Sequence, residues 1–528
     1  MGVRIVYPDS WEVLKLGEIA ESEKGKKPKN ESSEQSEVHQ FPYIDIEAFE
    51  KLNFKSFTDG EKCVFCDEDD FLMVWDGSRS GLVGKGIKGV LGSTLVRIKL
   101  PKMNNHYAYY FLQSKYLEIN TRAKGSGTPH VDPDLLWNYD FPIPPINEQN
   151  RIVEKIETLF SEIDAGVESL SKAKTQLERY RQSLLKHAFE GKLTAQWRAE
   201  FESKNGKPLP TADELIEQIQ TARQAHYDKQ IKDWELAVKA WEDNGKNGKK
   251  PTKPTKLDEI RVVENLSNLP LSWKNFYLND LSDISGGLTK NSKRHNFAEQ
   301  VAYLRVANVY ANELRLDEIS QIGIQETEKP RTLLKKDDLL IVEGNGSIEQ
   351  IGRVAIWNDE ISPCYHQNHL IKSRAYNYAN PKFILYFLMS PLGRKRIVEV
   401  ASSTAGLHTL SLSKVSNLIL PLTTLEEQNQ VIEILDEKLS EVEKSVSEIS
   451  IQLEKAKLLK SAILHKAFQG KLVPQDPTDL PASQLLDQIK AERLAKQTAK
   501  QTAQTATKSK AKANKQPKAK SKAKTKES

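Results

Sequence analysis

A 47-residue segment occurs twice in this chain, at residues 147–193 and again, without a gap, at 426–472. Fourteen of its aligned positions are identical, including Glu-Gln-Asn near the start and Ala-Phe-x-Gly-Lys-Leu at the end. Between these ends, apolar residues recur at alternating steps of three and four, the heptad pattern of a helix that buries a narrow stripe against another helix. The seam positions are Val153, Ile156, Phe160, Ile163, Val167 and Leu170 in the first copy and Ile432, Leu435, Leu439, Val442, Val446 and Ile449 in the second. The pattern predicts two helices of roughly 60 Å at about 1.5 Å per residue, each ending near a glycine, Gly191 or Gly470.

The residues before each predicted helix are also related. Pro8-Asp9-Ser10-Trp11 matches Pro270-Leu271-Ser272-Trp273, and residues 69–74 match residues 337–342. Strand-like runs separated by glycine-rich turns, with a helix near 107–120, predict mixed α/β domains. The predicted strands include Tyr43–Ile46, Phe71–Trp75 and Thr94–Ile98 in the first copy and, at the matching positions of the second, Tyr303–Val306 and Leu339–Val342. The chain is therefore a tandem duplication of one unit, a globular domain followed by a long helix.

The remaining segments complete a seven-part division. Thr211 and Glu214 have the spacing of a capping box, which predicts a helix from 212 to about 243. Lys246–Lys256 has the composition of a flexible basic linker. The predicted segments are a globular domain at 1–146, a long helix at 147–193, a charged helix and linker at 194–265, a second globular domain at 266–425, a second long helix at 426–472, a short helix at 473–494 and a lysine-rich disordered tail at 495–528.

The net charge of +5 combines two regions of opposite sign. Residues 495–528 hold eleven lysines and one glutamate, a net of +10, so residues 1–494 sum to −5. Any nucleic-acid surface in the folded part must therefore be a local patch. The three cysteines are typical of a reducing, cytoplasmic setting, and Cys63 and Cys66 lack the second pair that a zinc site requires. No apolar run approaches the roughly 20 residues that span a bilayer, so no membrane association is expected.

Sequence motifs for catalysis are missing. The loop 81–86 lacks the spacing and the Ser or Thr of a phosphate-binding loop. Pro144-Pro145 lacks the flanking residues of the (Asn/Asp)-Pro-Pro-(Tyr/Phe) motif of adenine methyltransferases, and the ten histidines have no metal-ligand spacing. Asp69-Asp70 and Asp337-Asp338 come directly before strands and are interpreted as turn residues rather than paired acid/base carboxylates. We expect a non-catalytic chain with no cofactor or metal of its own.

Two diverged globular domains, each followed by nearly the same long helix, resemble the specificity subunit of type I restriction–modification systems. The resemblance covers residues 1–493 and is most specific at 142–153, at 425–432 and in the matching helix ends. It implies two target recognition domains, each of which reads one half of a split double-stranded DNA sequence. It also implies that an antiparallel coiled coil separates these domains with pseudo-two-fold symmetry.

The same resemblance implies protein partners. Two adenine-methyltransferase subunits would dock on this chain and, for cleavage, two ATP-dependent motor–nuclease subunits. S-adenosylmethionine, ATP and magnesium would then be bound by those partners and not by this chain.

Candidate DNA contacts lie on polar loops that follow the predicted strands. Glycines there allow a close approach, lysines and arginines can hold phosphates, and Asn, Gln, Ser and His side chains can reach base edges. The predicted contacts are Ser78, Arg79, Ser80, Lys85, Lys88, Lys124, Ser126, Thr128 and His130 in the first domain and Asn345, Ser347, Gln350, Arg353, His366, Gln367, Asn368, His369 and His408 in the second.

Three alternatives stay open at this level. A heptad seam is by itself only a coiled coil, so a non-catalytic scaffold that binds only protein partners would carry the same pattern. The helix at 212–243 carries Trp234 and Trp241, which require a partner surface, either the coiled coil or a methylation subunit. The lysine-rich tail is either a solubilising end or a salt-sensitive, sequence-blind DNA tether.

Overall fold

The structure is a computed structural model that describes residues 6–125, 127–248, 250–254, 259–261, 263, 269–404, 406–495 and 498. Ser126 and almost all of the lysine-rich tail lie outside the described residues. Contacts divide the chain into two compact units, Met1–Leu170 with Ser450–Ser528, and Ser171–Ile449. The division falls inside both long helices, Ile146–Phe189 and Leu425–Ala467, at aligned positions of the repeat.

The first unit contains a mixed α/β domain. Its strands are Glu12–Lys15, Glu21–Lys24, Glu31–Ser32, Phe41–Ile44, Phe57–Thr58, Phe65–Cys66, Phe71–Val74, Val83–Lys85, Gly89–Leu91, Leu95–Lys99 and Asp140–Ile143, and its helices are Leu16–Ile19, Ile46–Lys51, Asn105–Thr121 and Pro133–Trp137. A four-stranded antiparallel sheet has Phe71–Val74 and Leu95–Lys99 at its centre. A five-stranded sheet contains one parallel pair, with Tyr43 beside Val90.

The second unit repeats this arrangement. Its strands are Lys274–Tyr277, Ser282–Gly286, Gln300–Leu304, Val309–Tyr310, Glu313–Leu314, Ser320–Gly323, Leu339–Val342, Gly344–Asn345, Val354–Ile356, Tyr365–His366, Leu370–Ala375, Ser402–Thr404, Leu407–Thr409 and Ile419–Leu422; its helices are Ala195–Asn205, Ala212–Asp243, Leu278–Leu281, Lys329–Thr332, Pro381–Met389, Pro391–Val400 and Leu412–Ser416, with 3₁₀ turns at Ser292–Asn296, Val306–Asn308 and Glu326–Glu328. Leu339–Val342 and Leu370–Ala375 form the centre of its four-stranded antiparallel sheet. One parallel pair again occurs in a neighbouring sheet, with Tyr303 beside Tyr365. The matching sheets confirm the predicted tandem duplication.

The central strand of each domain is buried on both faces. Phe71 and Met73 pack in the core that contains helix Asn105–Thr121, whereas Leu72 and Val74 pack in a second, smaller core. Successive side chains of a strand point to opposite faces, so a run of four apolar residues fits between two cores. Leu339–Val342 is divided between two cores in the same way. Each strand is thereby held firmly, and the loop that follows it starts from a fixed point.

One predicted strand is shorter than expected. The strand predicted at Tyr43–Ile46 ends at Ile44, and helix Ile46–Lys51 begins directly afterwards. The side chain of Asp45 accepts a hydrogen bond from the Ala48 amide at 2.8 Å. This contact caps the helix N-terminus and stops the strand.

The two long helices pack against each other inside each unit. In the first unit, Ile152 and Ile156 share a core with Leu464 and Phe468, near the end of the second helix. In the second unit, the end of the first helix shares a core with the start of the second. The beginning of one helix thus meets the end of the other, the order of an antiparallel pair. Of the predicted seam residues, Val153, Ile156, Ile432, Leu435, Leu439 and Val442 are buried, and Phe160, Ile163, Val167, Leu170, Val446 and Ile449 are half-buried.

Each helix end is anchored in the domain of its unit. Phe468 lies edge-on to Tyr107 and Phe111, with ring centroids 5.2 and 5.3 Å away. Phe189, the aligned residue of the first helix, contacts Phe383 and Phe387 at 5.0 and 5.3 Å. The Glu-Gln-Asn motif at each helix start forms a second anchor: Asn104 bonds to Gln149 and Asn150 at 3.0 and 2.8 Å, and Asn380 bonds to Gln428 and Asn429 at 2.7 and 3.0 Å.

Helix Ala212–Asp243 begins at the predicted capping box of Thr211 and Glu214. Leu215 and Ile219 lie in the core of the second unit, and the buried Arg223 pairs with Asp280 at 2.8 Å. The helix thus packs on the second domain as well as on the end of the first long helix.

The two tryptophans of this helix are covered by the linker that follows it. The Trp234 indole donates a hydrogen bond to the Pro251 carbonyl, and the Trp241 indole to the Gly248 carbonyl, each at 3.1 Å. Both indoles are still only half-buried, so docking of a methylation subunit on this helix stays a prediction.

Candidate DNA interface

Two loops that are distant in the sequence meet in the first domain. The loop after strand Phe71–Val74 pairs with the loop that follows helix Asn105–Thr121. The Gly77 amide donates to the Pro129 carbonyl at 2.7 Å, and Asp76 forms an antiparallel bridge with His130. His130 also pairs with Lys124, through backbone hydrogen bonds of 2.8 and 2.9 Å. The two segments that carry predicted contacts, 76–80 and 124–130 without Ser126, therefore form one surface.

The second domain brings together the equivalent loops. Gly344–Asn345 pairs antiparallel with Leu407–Thr409, and Asn345 lies opposite His408. Ser402–Thr404 extends this small sheet as its third strand. The side-chain oxygen of Asn345 accepts a hydrogen bond from the Ser347 amide at 2.9 Å and shapes the exposed turn.

In each domain a third loop lies next to the two paired loops. In the second domain, the Glu343 amide donates to the His369 carbonyl at 3.0 Å, and the His369 ring lies 2.8 Å from the Glu343 carboxylate. In the first domain, the Trp75 amide donates to the Thr94 carbonyl at 2.8 Å. Sequence reasoning named His369 as a contact, but it placed Thr94 at the start of a predicted strand and not on a contact loop.

Basic side chains of the first domain are held by carboxylates. Lys124 contacts Asp132 at 2.8 Å, and this hydrogen bond raises the pKa of the lysine. Lys85 pairs with Glu157 at 3.2 Å, and Arg79 pairs with Glu50. These side chains are exposed, so each could bind a DNA phosphate in place of its carboxylate partner. Each such contact would first break an ion pair and leave the carboxylate without its cation. Such paired cations favour a specific fit over strong non-specific attraction.

The second domain carries an aromatic and arginine cluster that sequence reasoning found only in part. Arg353, a predicted contact, lies over the Tyr310 ring with its guanidinium carbon 4.8 Å from the centroid. Arg315 lies over the same ring at 3.8 Å. Neither Tyr310 nor Arg315 was predicted, because they reach the surface on a short hairpin, Val309–Tyr310 with Glu313–Leu314, that has no strong local signal.

The structure corrects two predicted contacts. Ser80 and His366 have no exposed surface, so neither side chain can touch DNA. Burial lowers the pKa of His366 to about 3, which keeps its ring neutral, and its Nδ1 lies 2.9 Å from the Leu370 carbonyl. Of the other predicted contacts, Ser78, Arg79, Lys85, Lys88, Lys124, Thr128, Ser347, Gln350 and His369 are exposed, and His130, Asn345, Arg353, Gln367, Asn368 and His408 are half-buried.

The surroundings of these loops offer no metal site or membrane-spanning helix. Among the described residues, no cluster of three or more His, Cys, Asp and Glu side chains is arranged to hold a metal ion. In the same part of the chain, no helix is both long and apolar enough to cross a membrane. Asp70 and Asp338 accept backbone hydrogen bonds from Asp67 and Lys335 at 3.0 and 2.8 Å, which is the turn role expected of them.

Comparison with known proteins places this architecture. The model of the family described as type I restriction modification DNA specificity domain matches residues 8–172 and 270–455, one match in each repeat. The chain is 24% identical over 484 residues to the type I restriction enzyme MjaVIII specificity subunit of Methanocaldococcus jannaschii. That alignment covers 89% of this chain and 94% of the relative. It is 22% identical over 502 residues to the EcoBI specificity subunit of Escherichia coli, covering 92% and 93%.

The fold comparison agrees. A solved chain from a study of complex assembly and conformational transition of the type I R-M system superposes with a TM-score of 0.60 at 16% identity, over 88% of this chain and 100% of that one. The chain therefore belongs to the family of type I restriction modification DNA specificity domains, and it carries that domain twice.

Proposed function

We propose that the two domains read the two halves of one split double-stranded DNA site. The observation that carries this proposal is the repeated surface described above: in both domains a loop after the central buried strand pairs with a loop 50 or more residues later. The frame of this surface is the same in both copies, but the side chains on it differ. A shared frame with different side chains is what two different half-sites require, since base edges are distinguished by side-chain donors and acceptors.

We further propose that the long helices dock two methylation subunits, one for each copy. Three residues of each helix support this proposal because they are identical in both copies and exposed: Glu154, Ser161 and Glu162 in the first helix, and Glu433, Ser440 and Glu441 in the second. These residues recur at spacings of seven and eight, so they lie on one helix face. Burial cannot account for their identity, whereas one partner that binds twice would.

The chemistry of such a complex would belong to its partners. Methyl transfer from S-adenosylmethionine would occur on the methylation subunits, and ATP- and magnesium-dependent cleavage on motor–nuclease subunits. The chain described here would contribute the choice of sequence and the spacing between half-sites.

Mapping of adenine methylation in cells that express this chain with its methylation partner tests the proposal. We expect a split motif that is methylated once on each strand. Replacing residues 270–425 with those of a relative should change one half of the motif and leave the other half and the gap unchanged. A complex that forms but methylates no split motif, or a replacement that alters both halves, would contradict the proposal.

A further inference from the structure

In both domains a single helix side chain holds the loop that follows the central strand. The loop of the first domain, residues 75–80, closes with a hydrogen bond of 2.7 Å from the Gly81 amide to the Val74 carbonyl. The loop of the second domain, residues 343–351, closes with a bond of 3.1 Å from Gly352 to Val342. Both closing glycines have a left-handed backbone, with φ of +89° and +65°.

Asn120 holds the loop of the first domain. It lies in the last turn of helix Asn105–Thr121, and its Nδ2 donates to the carbonyls of Ser78 and Ser80, each at 3.0 Å. Its neighbour Ile119 packs so closely on Gly81 that a Cβ there would overlap it. Asn120 is half-buried: its bond to the Ser80 carbonyl is partly buried, whereas its bond to the Ser78 carbonyl is exposed.

Arg394 holds the loop of the second domain. It lies on helix Pro391–Val400, and its Nη1 donates to the Ile351 carbonyl at 2.7 Å and its Nη2 to the Glu349 carbonyl at 3.1 Å. Ile397, on the same helix, lies against Gly352, where an added Cβ would be 2.7 Å from the Ile397 side chain. The described contacts thus repeat those of the first domain with a guanidinium in place of an amide.

The two side chains act on equivalent atoms. Each takes the carbonyls one and three residues before the left-handed glycine, in loops of different sequence and length. The second loop is three residues longer, nine residues against six, and the extra residues precede the held carbonyls. Two unrelated donors that reach the same pair of carbonyls from different positions of their helices indicate a requirement for the contact itself rather than inheritance of one residue type.

We propose that Asn120 and Arg394 are positioning residues for DNA reading, and that each acts on only one half-site. This inference rests on the proposed function of the loops. Each donor fixes the end of its loop against a helix, so that the exposed side chains before it, such as Ser78 in the first domain and Ser347 in the second, approach the groove in one orientation. Without the donor the loop remains attached at its closing glycine but samples several orientations.

The test uses the full chain in complex with its methylation subunit. Asn120→Asp retains the shape of the side chain but replaces the donor with an acceptor, and Arg394→Met retains the packing of the stem but removes both donors. Matched controls make the same changes elsewhere: Asn138→Asp, where the amide donates to the Asp134 carbonyl at 2.8 Å, and Arg396→Met, on the same helix as Arg394 but bonded to the Ile419 carbonyl. The readout is binding to duplexes that carry one base-pair change in either half of the motif, together with binding to non-specific DNA and the melting temperature.

We expect Asn120→Asp to lower discrimination at one half-site by about tenfold, the lower part of the range for one mismatched base pair, and to leave the other half-site unchanged. Arg394→Met should do the same at the other half-site, while the two controls leave both half-sites unchanged. Equal effects at both half-sites, no effect at either, or a loss that the controls reproduce would overturn the inference. If the unmodified complex itself fails to distinguish matched from mismatched duplexes, the proposed function fails, and that result is distinct from the others.

Discussion

Glu148 and Glu427 occupy the same position of the repeat, but their carboxylates meet different partners. Glu427 is buried and accepts hydrogen bonds from Thr194 and Thr423 at 2.6 and 2.7 Å. It also pairs with the Arg198 guanidinium at 2.5 Å, whose side chain is 20% exposed. Glu148 is also buried, but the groups bonded to it are neutral: the Trp11 indole at 3.0 Å and the Gln475 amide at 2.6 Å.

The same substitution should therefore have different effects at the two positions. Glu427→Gln removes the counter-charge of a largely buried arginine and should lower the free energy of unfolding by about 2 kcal/mol, the usual loss for a charged hydrogen bond. Glu148→Gln should change it by less than about 1 kcal/mol, because an amide oxygen can still accept from Trp11 and the Gln475 amide can turn. Thermal melting of both variants measures the difference. Equal losses would show that the ion pair with Arg198 adds no stability.

The pH dependence of stability should also change in Glu148→Gln. Burial raises the pKa of Glu148, so between the unfolded and folded pKa values the folded state binds more protons and stability falls as the pH rises. At neutral pH the folded chain therefore bears the full cost of the buried charge, and glutamine removes that cost. The melting temperature of Glu148→Gln relative to the unmodified chain should increase from acidic to neutral pH. A difference that is constant with pH would contradict this assignment.

At the scale of the element, the glycines that end the long helices have a second role beyond backbone freedom. Gly191 and Gly470 both have φ of +69°, and a Cβ added to either would lie 2.5 or 2.6 Å from a proline ring, Pro270 or Pro8. Gly206 also has a left-handed backbone, with φ of +64°, but an added Cβ would meet nothing within 4 Å. The repeated glycine is thus a contact point between a helix end and the first residues of a domain.

Alanine substitution separates the two roles. Gly206→Ala should cost about 1 kcal/mol, the expense of a left-handed backbone for an L-residue. Gly191→Ala adds an overlap with Pro270 and should cost at least twice as much, since the backbone there must shift. Melting temperatures of the two variants give the comparison. Equal losses of stability in the two variants would mean that Pro270 moves aside without strain.

The exposed residues that are identical in the two long helices predict where the partner docks. On the proposal that each long helix docks one methylation subunit, changing Glu154 and Glu162 together to lysine should reduce the number of bound subunits from two to one, because charges that attract the partner surface would be replaced by charges that repel it. Reversing Glu433 and Glu441 should remove the other subunit. Native mass spectrometry of the reconstituted complex counts the subunits, and Glu178→Lys, at an exposed position that is not identical in the repeat, is the control. Two subunits bound to every variant would place the docking surface elsewhere.

At this scale, the sequence predicts features that depend on residues close together along the chain, and it does not predict contacts between distant residues. The heptad pattern identified both helices because seam residues such as Ile156 and Leu435 repeat within a few turns of each other. The contact between Gly77 and Pro129 joins residues about 50 positions apart, and no local pattern predicts which loops meet. Burial of His366 likewise depends on sheets that form around it, so its polar sequence neighbours suggested an exposed residue.

At the scale of the whole molecule, the helices should determine how many base pairs separate the two half-sites. The boundary between the compact units crosses them after Leu170 and after Ile449, which are aligned positions. Insertion of one heptad at both points preserves the a/d seam and lengthens each helix by about 10 Å at 1.5 Å per residue. Since base pairs are about 3.4 Å apart along the duplex, the gap of the methylated motif should grow by about three base pairs while both half-site sequences stay the same. The control inserts the heptad in one helix only, which breaks the pairing of the seams and should abolish methylation of any split motif. An unchanged gap after the double insertion would show that the spacing of the half-sites is determined outside the helices.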